Sequence, residues 1–454
     1  MKNQIIISIV FIVGYIAAAA LGLNGWQAAA GILLCTGACV LSVIFYLESK
    51  WILDYRVILS LFWLGGEGIA ALQLSNLQSP WQVRTWAAFG LFYLAFLWGD
   101  ALGKFSSFRK KKHSDISPAG RAAEDRRDIT ERIYHCIWIV AAVSVLCFWT
   151  EVVILGYIPL FSKDTHAYNY FHVTGIHYIT FSCMLVHPLT LMYLLEGGNR
   201  KGKRVFWLIF WNVLALSIPI FCISKFQFIL TILLPIMIYF LYRRTIPWKT
   251  LLIGTAVVVC AAVGIFVFMT WQRNYEAGYL NQIFDMKNQQ MPLALQYVYM
   301  YIANNYDNFN CLVEALQTGQ AVFLHGLKEL FPVFALTGMK FVFPGLVSYP
   351  TFSTVTELNT LTILYDAYYD FGLAGCMLFG GVLGLVCRLL TRLVSRADNP
   401  VSYLFYGEVA MYLLLSFFST WFTNPTTWFW FAVTGILYLY IGGNWKKGKI
   451  SSVK

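Results

Sequence analysis

Twelve apolar runs of 17 to 23 residues set the terms on which this chain can fold: 5–22, 27–47, 57–74, 83–100, 134–155, 173–195, 205–223, 226–242, 250–270, 366–387, 402–420 and 427–443. A helix needs about 20 apolar residues to cross the hydrocarbon of a bilayer, and apolar windows of that length mark spanning helices. The composition agrees. Of 454 residues, 59% are hydrophobic and 12% charged, about half the charged share of a soluble chain. The sequence therefore predicts an all-α polytopic membrane protein with about twelve transmembrane helices, residues 1–454 forming one integral-membrane domain. A formal charge of +11 could suggest a nucleic-acid binder. That charge lies in the loops between the apolar runs, so no nucleic-acid partner is expected. The first run starts at Ile5 with almost no basic region before it, and it reads as a retained span rather than a cleaved signal peptide.

Lys and Arg divide unevenly between the two sides of this pattern. With the N-terminus inside, 26 of the 33 fall on the inner side, nine of them in the loop 101–133. The outer set is Arg84, Lys163, Lys225, Arg273, Lys287, Lys328 and Lys340. By the positive-inside rule both termini are expected in the cytoplasm, with the chain in the plasma (inner) membrane. Nine of the ten cysteines lie within or at the ends of apolar runs, where Cys acts as a small hydrophobe. There is no C-x-x-C and no zinc spacing, so neither a metal nor another cofactor is expected.

Two loops are long. The basic cytoplasmic loop 101–133 contains "FRKKKHSDISPAGRAAEDRRDITER" and reads as a solvated linker near anionic head groups. The large extracytoplasmic loop 271–365 differs. Its segment 292–316 has apolar and aromatic residues at helical spacing. Its segment 322–346 is apolar but broken by Gly and Pro, as expected of a piece packed on the outer membrane surface or on the bundle. No repeat of 20–50 residues is visible, which weighs against a secondary transporter.

Ionisable residues gather at the outer helix ends. Arg84 starts the fourth run, Lys225 occupies a turn of a few residues, and Arg273 follows the ninth run. Asp366 and Asp370 open the tenth at i, i+4 spacing, on one helix face. His166, His172 and His177 lie in "KDTHAYNYFHVTGIHY". Each has a bland reading: lipid-phosphate contact or snorkelling for the cations, dipole complement for the aspartates, interface residues for the histidines. Glu67, within the third run, resists one, because a carboxylate in a span needs a partner or a proton. As a set, cations and acids beside an aromatic loop suit a phosphate or pyrophosphate ligand and sugar rings. No D-x-D pair, Walker loop or G-x-S-x-G occurs.

The stretches "GYIPLFSKDTHAY", "SKFQFILTILLP", "YIANNYDNF" and "NTLTILYDAYYDFGLAG" resemble the oligosaccharide repeat-unit polymerases, the Wzy-type O-antigen and capsular polysaccharide polymerases. The span count and large outer loop are similar too. The resemblance implies a C-type glycosyltransferase-like bundle and a metal-independent, inverting glycosyl transfer at the outer membrane face. A glycan on undecaprenyl pyrophosphate would move onto the terminal sugar of a newly flipped lipid-linked unit, building an O-antigen, capsule or exopolysaccharide. Its implied partners are the lipid-linked oligosaccharide, membrane lipids, a flippase and a chain-length regulator. Basic residues of the family fall here on Lys225 and Arg273, as candidate holders of the departing pyrophosphate. Asp370, Asp366 and His177 compete to accept the proton of the acceptor hydroxyl. Arg84, His166, His172, Tyr306 and Asn359 are the candidate substrate contacts. Related ligases place His-Asn where this chain has Leu358-Asn359, which argues against a ligase and leaves the base unassigned. The rival readings are a lipid-linked oligosaccharide flippase or other polysaccharide transporter, and an acyl-modifying membrane enzyme, for which only His187 sits deep in a span.

Overall fold

The computed structural model describes residues 2–105, 123–162, 167–243, 264, 279–396 and 399–442. In chain order the first helices are α1 (Lys2–Leu23), α2 (Gln27–Ser49), α3 (Tyr55–Leu59), α4 (Gly65–Ala71) and α5 (Val83–Phe105). Then come α6 (Ala123–Leu155), α7 (Ala167–Tyr170), α8 (Ile176–Thr180), α9 (Val186–Leu195), α10 (Lys203–Phe221) and α11 (Lys225–Tyr242). The remainder are α12 (Tyr279–Phe284), α13 (Leu293–Gln317), α14 (Phe331–Leu336), α15 (Met339–Val342), α16 (Tyr365–Arg396), α17 (Val401–Leu414) and α18 (Pro425–Gly442). There is no β-strand among the described residues, only the isolated bridge Ser75–Met286. The all-α polytopic expectation holds, for the reason that lipid offers backbone groups no water and a helix satisfies them internally.

Among the described residues, seven helical segments are long and apolar enough to cross a membrane: Gln4–Leu23, Gln27–Ser49, Val83–Lys104, Arg126–Leu155, Ile176–Leu195, Lys203–Phe221 and Tyr365–Ser395. They answer to seven of the twelve runs. Of the rest, 57–74 is helix from Tyr55 to Ala71 interrupted by a π turn at Ser60–Leu64. The runs at 226–242 and 402–420 give the shorter apolar helices Phe226–Tyr242 and Val401–Leu414. The run 427–443 lies largely in α18, and 250–270 falls outside the described residues apart from Gly264.

The chain divides into two compact units. Unit 1 comprises 1–110, 243–391 and 408–428; unit 2 comprises 111–242, 392–407 and 429–454. In unit 1, α2 lies against α1 and α4. Gly31 and Gly68 let α2 and α4 touch: a Cβ on Gly31 would stand 2.6 Å from the Gly68 carbonyl oxygen. The long loop that contains α13 is fastened to this unit along that helix, whose buried face carries Asn304, Asn305, Asp307, Asn308 and Asn310. Asp307 accepts from Gln78 Nε2 (2.6 Å) and Trp81 Nε1 (2.8 Å), which ties α13 to the 75–82 segment. Asn308 holds the other side of the loop, donating to the carbonyls of Leu358 (2.6 Å) and Thr360 (2.9 Å).

In unit 2, α6 packs against α8, α9 and α10, and α11 packs against α9 and α10. α6 starts at Ala123, so the expected linker is already helical before the apolar run at 134. Polar pairs explain this: Arg132 and Asp128 pair at 2.8 Å across one turn, and Glu131 pairs with Arg204 of α10 at 2.5 Å.

Candidate active site

In unit 2 a buried carboxylate and a half-exposed imidazole meet near the end of α6. The helix stops at Gly156, which has φ 80° and whose amide bonds the Val152 carbonyl at 2.8 Å. Glu151, about one turn earlier, is fully buried. Three donors converge on it. The Val173 amide reaches Oε1 at 2.9 Å, His177 Nδ1 reaches Oε1 at 2.9 Å, and Thr180 Oγ1 reaches Oε2 at 2.7 Å. His177 and Thr180 share a face of α8 because they are three residues apart, and Gly175, at φ 89°, turns the chain into that helix. The imidazole stands edge-on to Phe181 with centroids 4.5 Å apart, and 5.8 Å from the ring of His172. A carboxylate oxygen accepts, so Nδ1 donates, and in the neutral ring this leaves the lone pair on Nε2. The His177 side chain is 24% exposed, and its Nε2 has no hydrogen-bond partner among the described residues.

The same unit positions Lys225. α10 ends in a tight turn in which the Ser224 amide bonds Pro219 O and the Ile223 amide bonds Ile220 O, both at 3.0 Å. Ile223 takes φ 50°, a left-handed conformation that a β-branched residue rarely adopts and that a helix end normally gives to Gly. Lys225 opens α11 directly after it. α11 packs against the turn Phe181–Leu185 that follows His177, and Phe221 at the end of α10 stacks 5.9 Å from Phe148 of α6. The helix that Lys225 begins is therefore a neighbour of the turn that follows the helix carrying His177.

Unit 1 holds a second constellation, around the start of α16. Gly372, at φ 60° and ψ −140°, breaks this helix in a conformation open essentially to Gly alone. The carbonyls of Tyr369 and Asp370 accept instead from the amides of Leu324 (3.1 Å) and His325 (3.2 Å), in the loop after α13. The Asp370 carboxylate accepts from the amides of Lys328 (3.2 Å) and Glu329 (2.8 Å). Lys328 Nζ lies 3.2 Å from Asp366 Oδ1 and 4.3 Å above the Tyr349 ring. Thr423 donates to Asp366 Oδ2 at 2.5 Å. Asp366 and Asp370, paired by their i, i+4 spacing, thus clamp one loop onto the broken helix. Glu329 sits beside both; burial first, then their charges, pushes its carboxyl up to about 7.

The other expected residues fall as follows. Arg84 is exposed in the first turn of α5. Tyr306 is fully buried, its hydroxyl donating to the Trp63 carbonyl at 2.8 Å beside Gly66, a core position. Asn359 is exposed at the tip of the segment that Asn308 anchors through Leu358 and Thr360. His172 is exposed. Arg273 and His166 lie outside the described residues. Glu67 finds its partner in Tyr15, whose hydroxyl is 2.5 Å from Glu67 Oε1 and 2.9 Å from the Trp86 carbonyl. Among the described residues no three of His, Cys, Asp and Glu converge to hold a metal ion.

Glu151, Lys328, Glu329 and Thr423 were not singled out from the sequence. For Glu151 a signal existed: it is the one carboxylate in the run 134–155. For the other three the partner lies far along the chain, and spacing carries no trace of it.

Compared with known proteins, residues 4–287 match the family model described as O-antigen polymerase. No curated protein and no solved structure matches.

Proposed function

The chain belongs to the O-antigen polymerase family, and from that premise we propose that it polymerises undecaprenyl-pyrophosphate-linked repeat units into a surface polysaccharide by glycosyl transfer at the outer face of the plasma (inner) membrane. The family match over well more than half the chain carries this reading. It contains Glu151, His177, Lys225 and Arg273, whereas Asp366 and Asp370 lie beyond it. The product is an O-antigen, capsule or exopolysaccharide, both termini are cytoplasmic, and the reaction needs no metal.

In this proposal the reaction requires a stabiliser for the leaving pyrophosphate and an acceptor for the hydroxyl proton. Lys225 and Arg273 are assigned to the first task. A charge-assisted contact is worth about 1.5–3 kcal/mol, and one made to a leaving charge acts mainly in the transition state. Lys225→Ala and Arg273→Ala should each cut polymerisation at least about tenfold with normal protein in the membrane. Lys225→Arg should be tolerated, and Arg273→Lys should be worse than Lys225→Arg, because a fork is lost. Lys340→Ala, in the same outer loop, should be silent. Asn359, His172, His166 and Arg84 are assigned to sugar and phosphate contacts. A flippase supplies the units and a chain-length regulator acts on the product.

The test is the glycan of a deletion strain beside that of its parent. Accumulated single repeat units on lipid, with the flipped unit accessible outside, support the polymerase. Units retained on the cytoplasmic side would point to the flippase alternative, and an unchanged glycan ladder would contradict both.

A further inference from the structure

We propose that His177 is the general base of this reaction and that Glu151 is the residue that positions it. This rests on the glycosyl-transfer reading above and narrows its three candidate proton acceptors to one.

The inference starts from what each carboxylate already does. Both Asp370 oxygens accept backbone amides, from Lys328 and Glu329. Asp366 is divided between Lys328 and Thr423. Those two residues are 0% and 3% exposed. His177 differs on both counts. One ring nitrogen is held by a buried carboxylate at 2.9 Å, and the ring keeps an exposed edge whose Nε2 has no partner among the described residues. A histidine kept only for packing has no need of a fully buried carboxylate to fix its ring. Glu151 itself is fixed by the Val173 amide and Thr180, so the oxygen facing Nδ1 cannot swing away. The order is buried carboxylate, imidazole, open side, which is the geometry that orients a base in nucleophile-activating sites.

The step balances without any further reactant. The acceptor sugar hydroxyl gives its proton to His177 Nε2 while its oxygen forms the bond to the anomeric carbon of the lipid-linked glycan. The carbon–oxygen bond to the pyrophosphate breaks, and the pyrophosphate leaves with that electron pair. Glu151 takes no proton; it keeps the Nδ1 hydrogen and faces the imidazolium that forms. Among the described residues, the titratable groups shown near the pair are His172 from the segment before α8, Cys147 on α6 and Cys222 at the end of α10, the cysteines lying within reach of the Glu151 charge.

The test uses the full-length protein in lipid nanodiscs with a lipid-linked repeat unit as substrate. His177→Ala should lower kcat at least about a hundredfold, the scale of a lost general base, leave KM within about threefold, and regain part of its rate with added imidazole. Glu151→Gln should lower kcat at least about tenfold at unchanged KM and melting temperature. In the wild type, nitrogen-15 NMR of labelled histidine should show His177 as the Nδ1–H tautomer, and in Glu151→Gln a mixture. A His177→Ala rate within threefold of wild type, or an Nε2–H tautomer in the wild type, overturns the proposal. So does a Glu151→Gln loss that only tracks the folded fraction. Should Glu151→Gln fail to fold, imidazole rescue and the wild-type tautomer still decide. If wild-type protein makes no polymer, the polymerase reading falls on its own, and the tautomer still reports on the pair.

Discussion

Asp370 in unit 1 and Glu151 in unit 2 are both fully buried carboxylates that accept backbone amides, and they lead to different chemistry. Asp370 receives amides at both oxygens and thereby closes the loop between α13 and α14 over the break at Gly372. Glu151 receives one amide and one hydroxyl and passes its remaining capacity to an imidazole with an open edge. A carboxylate whose two oxygens both take backbone amides is a clamp. A carboxylate that fixes a titratable ring is a director. The first kind should govern stability and the second turnover, and that contrast can be broken or sharpened by substitution.

The largest stability effect is expected at Lys328. Lys328→Met leaves Asp366 buried without its cation, and breaking a buried pair from one side costs about 3–5 kcal/mol. A melt followed by tryptophan fluorescence or light scattering in detergent should show it, with turnover per folded molecule little changed. Asp370→Ala comes next. It leaves the Lys328 and Glu329 amides without their acceptor, at about 1–3 kcal/mol for each unsatisfied group. A hundredfold loss of turnover at normal melting temperature would instead make Asp370 a chemical residue. Gly372→Ala follows, since a Cβ in that conformation costs about 1–3 kcal/mol, and Phe323 stands only 3.3 Å from where the Cβ would be. Limited proteolysis of the 322–330 segment should quicken in that variant.

A pH dependence probes the same constellation. The Glu329 carboxyl is raised to about 7 in the folded state, chiefly by burial, and stands near 4.5 when unfolded. Between those values the folded protein holds a proton that the unfolded chain has lost. Its contribution is therefore complete below about 4.5 and disappears as pH rises through about 7. Melting temperature should fall from pH 5 to pH 8, and Glu329→Gln should flatten part of that slope. Asp307, raised to about 7 by burial against the opposing bonds from Trp81 and Gln78, adds a slope of the same sign that Glu329→Gln leaves in place.

The sequence disclosed the membrane class because apolar length is a local property, and it disclosed Asp366 and Asp370 as a pair because helical spacing is local too. It also flagged the two long loops, and α13 appears where the aromatic period at 292–316 put a helix. It did not disclose Lys328, 38 residues before Asp366, or Thr423, 57 residues after it. Those contacts exist only after the loop folds back. Glu151 was legible as a lone acid in an apolar run, but its partner lies across the turn between α6 and α8, 26 residues away. Tyr306 misled for the converse reason: a motif position with a polar tip looked like a sugar contact, and its hydroxyl is given to a core carbonyl.

The most direct measurement compares His177→Ala with Asp370→Asn in one assay: polymer formed from lipid-linked repeat units by purified protein in nanodiscs, with rate and melting temperature read on the same sample. The expected result is a crossed pattern. His177→Ala loses at least about a hundredfold in rate and keeps its melting temperature, while Asp370→Asn melts earlier and keeps its rate per folded molecule. The opposite crossing, with Asp370→Asn inactive at full stability and His177→Ala active, would contradict the assignment of chemistry to unit 2.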